Sequence, residues 1–476
     1  MSVATYRETR LRASCGRMAQ AHPGQSGVFA LQDGLDAFAA RVLLAGAAEH
    51  TLDVQYYIWH RDMSGALLLE ALHRAADRGV RVRLLLDDNN TAGLDPWIAA
   101  LDAHPSIEVR LFNPFKHRRW RILDYLFDFG RVNRRMHNKS FTADGQATII
   151  GGRNVGDEYF GAGQDISFVD LDVIAVGPVV EEVTRDFERY WASGSAVSAA
   201  LVVPPAPESA IAEIGAAAHR VEHDPIGVKY IHAVTAAPFV RDLLEGNLRL
   251  EWATVHMVSD DPAKGLGRAS DDKLLWQRLH QVVDSPKREL ELVSPYFVPG
   301  KQGVEELAAL ARAGVHITVL TNALEATDVP AVHAGYAKRR KPLLAAGIQL
   351  YELRRLAGGR SARGSGLMGS SSSSLHAKTF AVDRQRLFVG SFNFDPRSAR
   401  LNTEMGFVIE SPKLASLIAD ACTHNVPERA YKVTLTKSGA LQWSDGQRQF
   451  HSEPGTSLGR RLLVGFLSLL PIEWLL

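Results

Sequence analysis

The sequence predicts an α/β fold built as two pseudo-symmetric α/β/α lobes with mixed β-sheets, and a functional site at the interface between the lobes. Two observations support this prediction. The same order of strand and helix patterns occurs twice, and each copy leads to one His-x-Lys-x4-Asp motif. Tyr57 and Tyr296 are 239 residues apart, and the same 239 residues separate His137 from His376. Self-similarity at a fixed offset indicates an internal duplication.

Each copy begins with a strand–helix–strand pattern. The strands are rich in β-branched and aromatic residues, and the intervening helix has apolar residues at helical spacing. Short connections between such units predict a parallel or mixed sheet covered by helices. The segments are 52–59, 65–76 and 79–86 in the first copy and 290–297, 303–313 and 314–320 in the second.

The segments outside the repeat suggest where the lobes divide. The Pro-rich stretch 204–207 predicts a first lobe of residues 1–203 and a second lobe of residues 204–476, each with one motif. Residues 208–285 are predicted to be mostly helical with loops, and residues 431–443 to form a late hairpin.

Composition excludes several classes of protein. The formal net charge of +1 gives the 476-residue chain no global field for a nucleic-acid partner. Two cysteines cannot build a disulfide framework or a four-thiolate metal site. No stretch reaches the roughly 18–20 apolar residues that a spanning helix needs, so we expect no transmembrane helix.

The paired motifs contain the candidate catalytic residues. Both copies follow His-x-Lys-x4-Asp-x6-Gly-[Gly/Ser]-x-Asn. Because side chains alternate along a strand, the histidine and lysine of each motif lie on one face. The first aspartate precedes a glycine in a turn-forming pair, and we expect both aspartates to shape turns rather than to react. The candidates are His137, Lys139, Asp144 and Asn154 in the first copy, and His376, Lys378, Asp383, Ser391 and Asn393 in the second.

Two histidines and two lysines around one pocket suit a phosphodiester. Lys139 and Lys378 would neutralise the non-bridging oxygens. Asn154, Asn393 and Ser391 would donate hydrogen bonds to the phosphate. One histidine attacks phosphorus and forms a phosphohistidine, and the other protonates the leaving alcohol and then activates the incoming one. We expect neither a divalent metal nor a cofactor, and the chain has no His-Glu-x-x-His motif.

Each histidine is expected to need a carboxylate that fixes its tautomer. In the first half we prefer Asp170 over Asp172 as the partner of His137. In the second half Glu404 is the expected partner of His376.

The two motifs differ at one position of the Gly-rich return. The first copy has Gly152 where the second has Ser391. A hydroxyl contact to phosphate is therefore expected only on the Ser391 side.

These motifs, with Gly-Gly-Arg-Asn-Val-Gly-Asp-Glu-Tyr-Phe at 151–160 and Gly-Ser-Phe-Asn-Phe-Asp-Pro-Arg-Ser at 390–398, resemble the phospholipase D superfamily. Within it they are similar to the bacterial cardiolipin synthases, those of type C in particular. The resemblance implies a phospholipase D-like fold and transfer of a phosphatidyl group to phosphatidylglycerol. It implies phosphatidylethanolamine, or a second phosphatidylglycerol, as donor. It also implies His137 as nucleophile and a peripheral location on the cytoplasmic face of the bacterial inner membrane.

Two segments fit a membrane-associated enzyme. Residues 112–135 interleave basic and aromatic side chains and could contact an anionic membrane surface. Nucleic-acid binding and a merely solvated face are the alternatives there, and we expect no nucleic-acid partner. Residues 462–476 form an apolar tail, which is either a terminal helix docked on the body or an interfacial anchor.

The motifs leave other functions open. A phosphodiesterase of the same fold, a phospholipase or a nuclease, would pass the phosphoryl intermediate to water instead of an alcohol. A non-catalytic membrane scaffold is a third possibility, and the two intact motifs argue against it.

Overall fold

The computed structural model of the protein describes residues 9–161, 167–207, 209–283, 285–355 and 373–476. The strands are β1 Ser26–Leu31, β2 Thr51–Ile58, β3 Arg81–Asn90, β4 Ile107–Phe112, β5 Ser140–Ala143, β6 Ala147–Gly151, β7 Ser167–Val169, β8 Asp172–Val176, β9 Ala196–Ser198, β10 Glu251–Ser259, β11 Glu289–Val293, β12 His316–Asn322, β13 Gln349–Leu353, β14 Ser373–Leu375, β15 Thr379–Val382, β16 Arg386–Gly390, β17 Met405–Glu410, β18 Ala430–Leu435, β19 Leu441–Ser444 and β20 Gln449–Phe450. The parallel strands β2–β4 and β11–β13 alternate with helices, as the strand–helix–strand patterns of the sequence predict.

The two halves of the chain build their sheets in the same spatial order. In the first half the order is β9-β4-β3-β2-β5-β6-β8-β1, with β2, β3 and β4 parallel and the other pairs antiparallel. In the second half it is β18-β13-β12-β11-β15-β16-β17-β10, with β11, β12 and β13 parallel. Strands β19 and β20 extend its edge, and the predicted late hairpin is β18–β19. The fold is the predicted pair of pseudo-symmetric α/β lobes.

The halves are joined through their edge strands. β1 pairs antiparallel with β10, so the two sheets are continuous. β10 lies within the 208–285 segment for which mostly helix and loops were predicted, and it is the counterpart of β1. One buried cluster also spans the junction, with Val28 and Val173 from the first half and Val293 and Phe407 from the second.

Helices cover the sheets and connect the parallel strands. Side-chain caps start several of them, for example Asp62, whose carboxylate accepts the Gly65 N–H at 2.9 Å. The helices are α1 Arg10–Gln20, α2 Gly34–Ala47, α3 Met63–Asp77, α4 Asp95–Asp102, α5 Arg121–Phe127, α6 Phe129–Val132, α7 Pro178–Trp191, α8 Ala210–His219, α9 Pro225–Ala236, α10 Phe239–Glu245, α11 Leu275–Val282, α12 Gly300–Arg312, α13 Pro330–Ala337, α14 Arg340–Ala345, α15 Pro396–Arg400, α16 Pro412–Asp420, α17 Val426–Arg429 and α18 Leu458–Leu469.

The helices after the Pro-rich stretch pack on the first half. Ile214 of α8, Tyr230 of α9 and Phe239 of α10 belong to the buried cluster that contains Phe38 of α2. The division at residues 203 and 204 stays a prediction, but residues 210–245 share their core with the first half of the sheet.

Candidate active site

Each His-x-Lys pair lies immediately before a central strand of its half. His137 and Lys139 precede β5, and His376 and Lys378 precede β15. All four side chains are almost fully buried. Each lysine ammonium donates to the backbone carbonyl of the histidine two residues before it, at 2.5 Å in both halves. The local geometry of the two motifs is therefore duplicated along with their sequence.

The carboxylate partners of the histidines are exchanged between the halves. His137 Nδ1 lies 2.8 Å from Glu404 Oε2, and His376 Nδ1 lies 2.5 Å from Asp170 Oδ2. We predicted Asp170 for His137 and Glu404 for His376, so that pairing was wrong although both carboxylates lie at the site. The cause is the pseudo-twofold relation, which places each carboxylate opposite the histidine of the other half.

Backbone contacts repeat the exchange. The His137 N–H donates to the Thr403 carbonyl at 2.9 Å, and the His376 N–H donates to the Val169 carbonyl at 2.8 Å. Each acceptor is the residue directly before a carboxylate partner. Strands β14 and β7, from opposite halves, also pair in parallel. Both histidines are thus positioned by main chain of the other half, and neither half holds a complete His–carboxylate pair.

The electrostatics of the two pairs differ. Burial raises the pKa of Glu404 to about 7, against the opposing effect of Lys139. Burial alone would also raise the pKa of Asp170, but the adjacent His376 and Lys378 hold it below its ordinary value. The carboxyl at His137 therefore takes up a proton more readily than the one at His376.

The pKa values of the bases are lowered. Burial, and then the charges of Lys139 and Lys378, hold the pKa of His137 well below its ordinary range. Burial and Lys378 also lower the pKa of His376, while Asp170 opposes that effect. Burial lowers the pKa of both lysines, more strongly for Lys139. The lowered pKa of His137 favours its neutral form, and a bound phosphate would favour the charged form of both lysines.

A second contact indicates the tautomer of His137. Its Nδ1 also lies 3.1 Å from the Ser391 carbonyl oxygen, which can only accept a hydrogen bond. We infer that Nδ1 carries the proton and donates it towards Ser391 and Glu404. Nε2 then keeps a free lone pair, as a nucleophile requires.

The hydroxyl of Ser391 makes its hydrogen bonds within the protein. It donates to Glu404 Oε2 at 2.5 Å and accepts from the Met405 N–H at 3.0 Å. The hydroxyl–phosphate contact expected on this side stays a prediction, and it would require the hydroxyl to leave the buried carboxylate. At Gly152 a Cβ atom would lie 2.1 Å from Asp170 Oδ1, so the first half has no room for a serine.

The two asparagines each have one polar atom available. Asn154 Oδ1 accepts the Ile58 N–H at 3.2 Å, and its buried Nδ2 has no hydrogen-bond partner among the residues described. The buried Oδ1 of Asn393 likewise has no hydrogen-bond partner among the described residues. Buried amide groups without partners are costly unless a ligand satisfies them. An Nδ2 donor at Asn154 is compatible with the predicted phosphate contact.

The aspartates of the motifs serve the turns. Asp144 and Asp383 both adopt a positive φ of 53° after their strands. The Asp144 carboxylate accepts backbone N–H groups of Glu49, His50 and Thr51. The Asp383 carboxylate likewise accepts those of residues 287–289. Their hydrogen bonds fix the hairpin to the neighbouring strand, at the end remote from the histidines.

Several contacting residues had no clear sequence signal. Ser398 donates to Glu404 Oε1 at 2.8 Å, so two serines clamp this carboxylate. The Tyr57 ring lies edge-on to His137 at 4.9 Å, and the Tyr159 ring lies edge-on to His376 at 5.1 Å. Tyr57 belongs to the repeat, in which Tyr296 is its counterpart. Tyr159 has no such counterpart, and only the structure places it.

Comparison with known proteins decides the family. Residues 43–191 and 279–424 match the family described as cardiolipin synthase, PLD-like domain. The chain belongs to this phospholipase D-like family. It is a phosphatidyltransferase of the phospholipase D superfamily. Both matched segments include one motif and its following Gly-rich return.

Full-length relatives of this family member are known. Cardiolipin synthase C of Escherichia coli (strain K12) is 51% identical over 98% of this chain and 100% of its own length. An uncharacterised protein of Helicobacter pylori (strain J99 / ATCC 700824) is 30% identical over 94% of this chain and 89% of its own length. The phosphatidylserine synthase of Haemophilus influenzae Rd KW20 has the same fold, with a TM-score of 0.58 and 13% identity over 97% of this chain and 100% of its own.

In the part of the chain that the structure describes, no helix is both long and apolar enough to cross a bilayer.

Proposed function

We propose that the protein synthesises cardiolipin by transferring a phosphatidyl group to the free glycerol hydroxyl of phosphatidylglycerol. The observation that carries the substrate assignment is the 51% identity, along the whole chain, to a cardiolipin synthase C. The donor is phosphatidylethanolamine, or a second phosphatidylglycerol. Two buried histidines beside two buried lysines support phosphodiester chemistry at this site.

In the first step, Nε2 of His137 attacks the donor phosphorus. A P–N bond forms, the P–O bond to the donor alcohol breaks, and His376 gives that oxygen a proton. The assignment of His137 rests on its strongly lowered pKa and on the Nδ1–H inferred from the Ser391 carbonyl. Asp170 supports the protonated form of His376 through the 2.5 Å contact.

In the second step, His376 takes the proton of the phosphatidylglycerol hydroxyl. The hydroxyl oxygen attacks phosphorus, the P–N bond breaks, and His137 returns to its neutral form. Lys139 and Lys378 neutralise the non-bridging oxygens in both steps, a role that a buried ammonium performs strongly in a water-poor pocket. Asn154 Nδ2 donates to one of these oxygens. This chemistry requires no divalent metal.

Transfer to water is the second candidate, and it would make the protein a phospholipase or a nuclease. The same residues could activate a water molecule, and the outcome depends on how well water is excluded. We favour a lipid acceptor and no nucleic acid, with the protein peripheral on the cytoplasmic face of the bacterial inner membrane.

The test is a product analysis with labelled phosphatidylglycerol, with and without phosphatidylethanolamine, in EDTA. Labelled cardiolipin is expected in EDTA. If phosphatidylethanolamine is the better donor, the reaction that contains it yields more labelled cardiolipin than the reaction with phosphatidylglycerol alone. Phosphatidic acid as the sole product would overturn the synthase assignment, and loss of all activity in EDTA would overturn the metal-free mechanism. His137→Ala is expected to abolish the covalent intermediate, whereas His376→Ala still forms it from a donor with a good leaving group.

A further inference from the structure

Exposed large apolar side chains are concentrated in two short segments. The described residues include sixteen such side chains, and twelve of them fall in two groups. The first group is Trp120, Ile122, Tyr125, Leu126, Phe127 and Phe129, here called the α5–α6 segment. The second group is Leu458, Leu462, Leu463, Phe466, Leu469 and Trp474, here called the C-terminal segment. Dispersed apolar side chains are normal on a surface, but clusters of this size mark a contact with something else.

The α5–α6 segment points its charges inward and its apolar side chains outward. Arg118 forms ion pairs with Asp88 and Asp95, at the end of β3 and the start of α4. Further along, Arg131 pairs with Asp128. Phe127 is meanwhile 83% exposed. The basic side chains of residues 112–135 were expected to contact an anionic surface, but Arg118 and Arg131 are already paired within the protein. The large side chains that the α5–α6 segment exposes are apolar.

The C-terminal segment is docked by one face only. Val464 and Leu467 of α18 pack against Ala334 of α13. The opposite face is exposed in the part of the chain that the structure describes, and Leu469 is 82% exposed. The helix is docked on the body, as one of the two predicted alternatives has it, and it also presents an exposed apolar face.

One arginine brings the two segments together. The Arg397 guanidinium donates to the Asn133 carbonyl at 3.0 Å and to Asn133 Oδ1 at 2.6 Å, directly after α6. It also donates to the Leu475 carbonyl at 3.0 Å, directly after Trp474. The next residue, Ser398, donates to Glu404 at the active site. The two segments thus lie on the same side of the molecule, beside the catalytic residues.

We propose that these two segments form a single surface that inserts into the interfacial region of a phospholipid bilayer and holds the active-site opening against it. The choice of a bilayer rests on the proposed function, since two-tailed phospholipid substrates stay in the membrane and the site must reach them there. Tryptophan and tyrosine at the ends of the surface suit the boundary between headgroups and acyl chains. Because the arginines described above are paired internally, apolar insertion rather than attraction to anionic headgroups supplies most of the binding.

The test is sedimentation of the full-length protein with vesicles of phosphatidylethanolamine and phosphatidylglycerol. Leu126→Ser with Phe127→Ser changes one segment, and Phe466→Ser with Leu469→Ser changes the other. Each pair is expected to lower the partition coefficient about tenfold or more, and all four changes together to lower it further. Raising the salt concentration from about 0.05 to about 0.5 M should change wild-type binding by less than about threefold. A protein held by electrostatic attraction would instead dissociate from the vesicles.

A matched control keeps the result specific. Leu201→Ser with Leu417→Ser alters exposed leucines outside the surface, and it should bind as wild type does; Leu201 is 82% exposed. The proposal would be overturned if the wild-type protein does not bind vesicles, or if the control variant loses as much binding as the test variants. It would also be overturned if the test variants bind normally but convert a wild-type dimer into a monomer, because the surface would then join two copies.

The failure of this proposal is distinguishable from the failure of the proposed function. Activity on a short-chain phosphatidylglycerol dispersed as monomers needs no bilayer, so the surface variants should retain it within about twofold of wild type. If wild type binds vesicles through these segments but makes no cardiolipin, the surface stands and the proposed function fails. If the variants make cardiolipin from monomers and still bind vesicles as wild type does, the proposed function stands and the surface fails.

Discussion

Glu404 and Asp170 occupy equivalent positions in the two halves but hold their protons differently. The pKa of Glu404 is raised to about 7 by burial, while that of Asp170 is held low by His376 and Lys378. A carboxyl that titrates near neutrality can control when His137 is oriented for the attack we propose. An ionised Asp170 favours the acid–base role proposed for His376. Two motifs with nearly the same sequence thus become chemically distinct through their partners.

The pH dependence of phosphohistidine formation tests this difference. As the pH falls below about 7, Glu404 becomes protonated and the His137 Nδ1–H loses its anionic acceptor, so the rate should fall. Glu404→Gln should remove that titration and slow the step by about 10²–10⁴-fold. Single-turnover rates against pH measure both effects. Asp170→Asn is the matched control and should retain the fall in rate at low pH, here called the acid limb. An unchanged acid limb in Glu404→Gln would contradict the assignment of this titration to Glu404.

The Ser391 hydroxyl gives a second test of the same carboxyl. Its hydrogen bond lowers the pKa of Glu404, so removing it in Ser391→Ala should raise that pKa and move the acid limb to higher pH. If the hydroxyl instead bound phosphate, its removal would raise KM and leave the pH of the acid limb unchanged. Steady-state profiles of kcat and kcat/KM separate these outcomes. Ser193→Ala is a control outside the site, because the Ser193 hydroxyl donates to the Tyr190 carbonyl.

Among the elements, the Gly-rich return after β6 is tightly constrained. A Cβ at Gly152 would lie 2.1 Å from Asp170 Oδ1, so Gly152→Ser must displace the carboxylate that contacts His376. We expect activity to fall more than about 100-fold and the free energy of unfolding to fall by about 1–3 kcal/mol. Product assays and thermal melts measure the two effects. The reciprocal Ser391→Gly should be milder on activity, and equal losses in both variants would contradict this account.

At the same scale, the sequence predicts elements better than it predicts partners across the halves. Periodicity and β-branched content identify β2, α3 and β3 because these signals are local. The exchange of Asp170 and Glu404 is invisible to such signals, since it depends on how the pseudo-twofold axis sets one half against the other. The inward direction of Arg118 was missed for a similar reason, because its partners come from elsewhere in the fold.

At the scale of the whole molecule, the halves share structure as well as a site. The sheet is continuous through β1 and β10, and Phe407 is fully buried in a cluster with residues of both halves. A duplicated chain could instead have two separate cores joined by a linker. The shared core keeps the exchanged His–carboxylate pairs in register, since a shift of one half against the other would separate His137 from Glu404.

Thermal unfolding tests whether the two halves unfold as one cooperative unit. A shared core predicts one cooperative transition, with equal calorimetric and van't Hoff enthalpies, rather than two. Phe407→Ala in the shared cluster should lower the free energy of unfolding by about 3–5 kcal/mol and move the whole transition. Phe38→Ala in the first-half core and Phe388→Ala in the second-half core should move the same single transition. If either of these shifted only part of the heat absorption, the halves would unfold independently, and the site would then be assembled by docking of two separately stable domains.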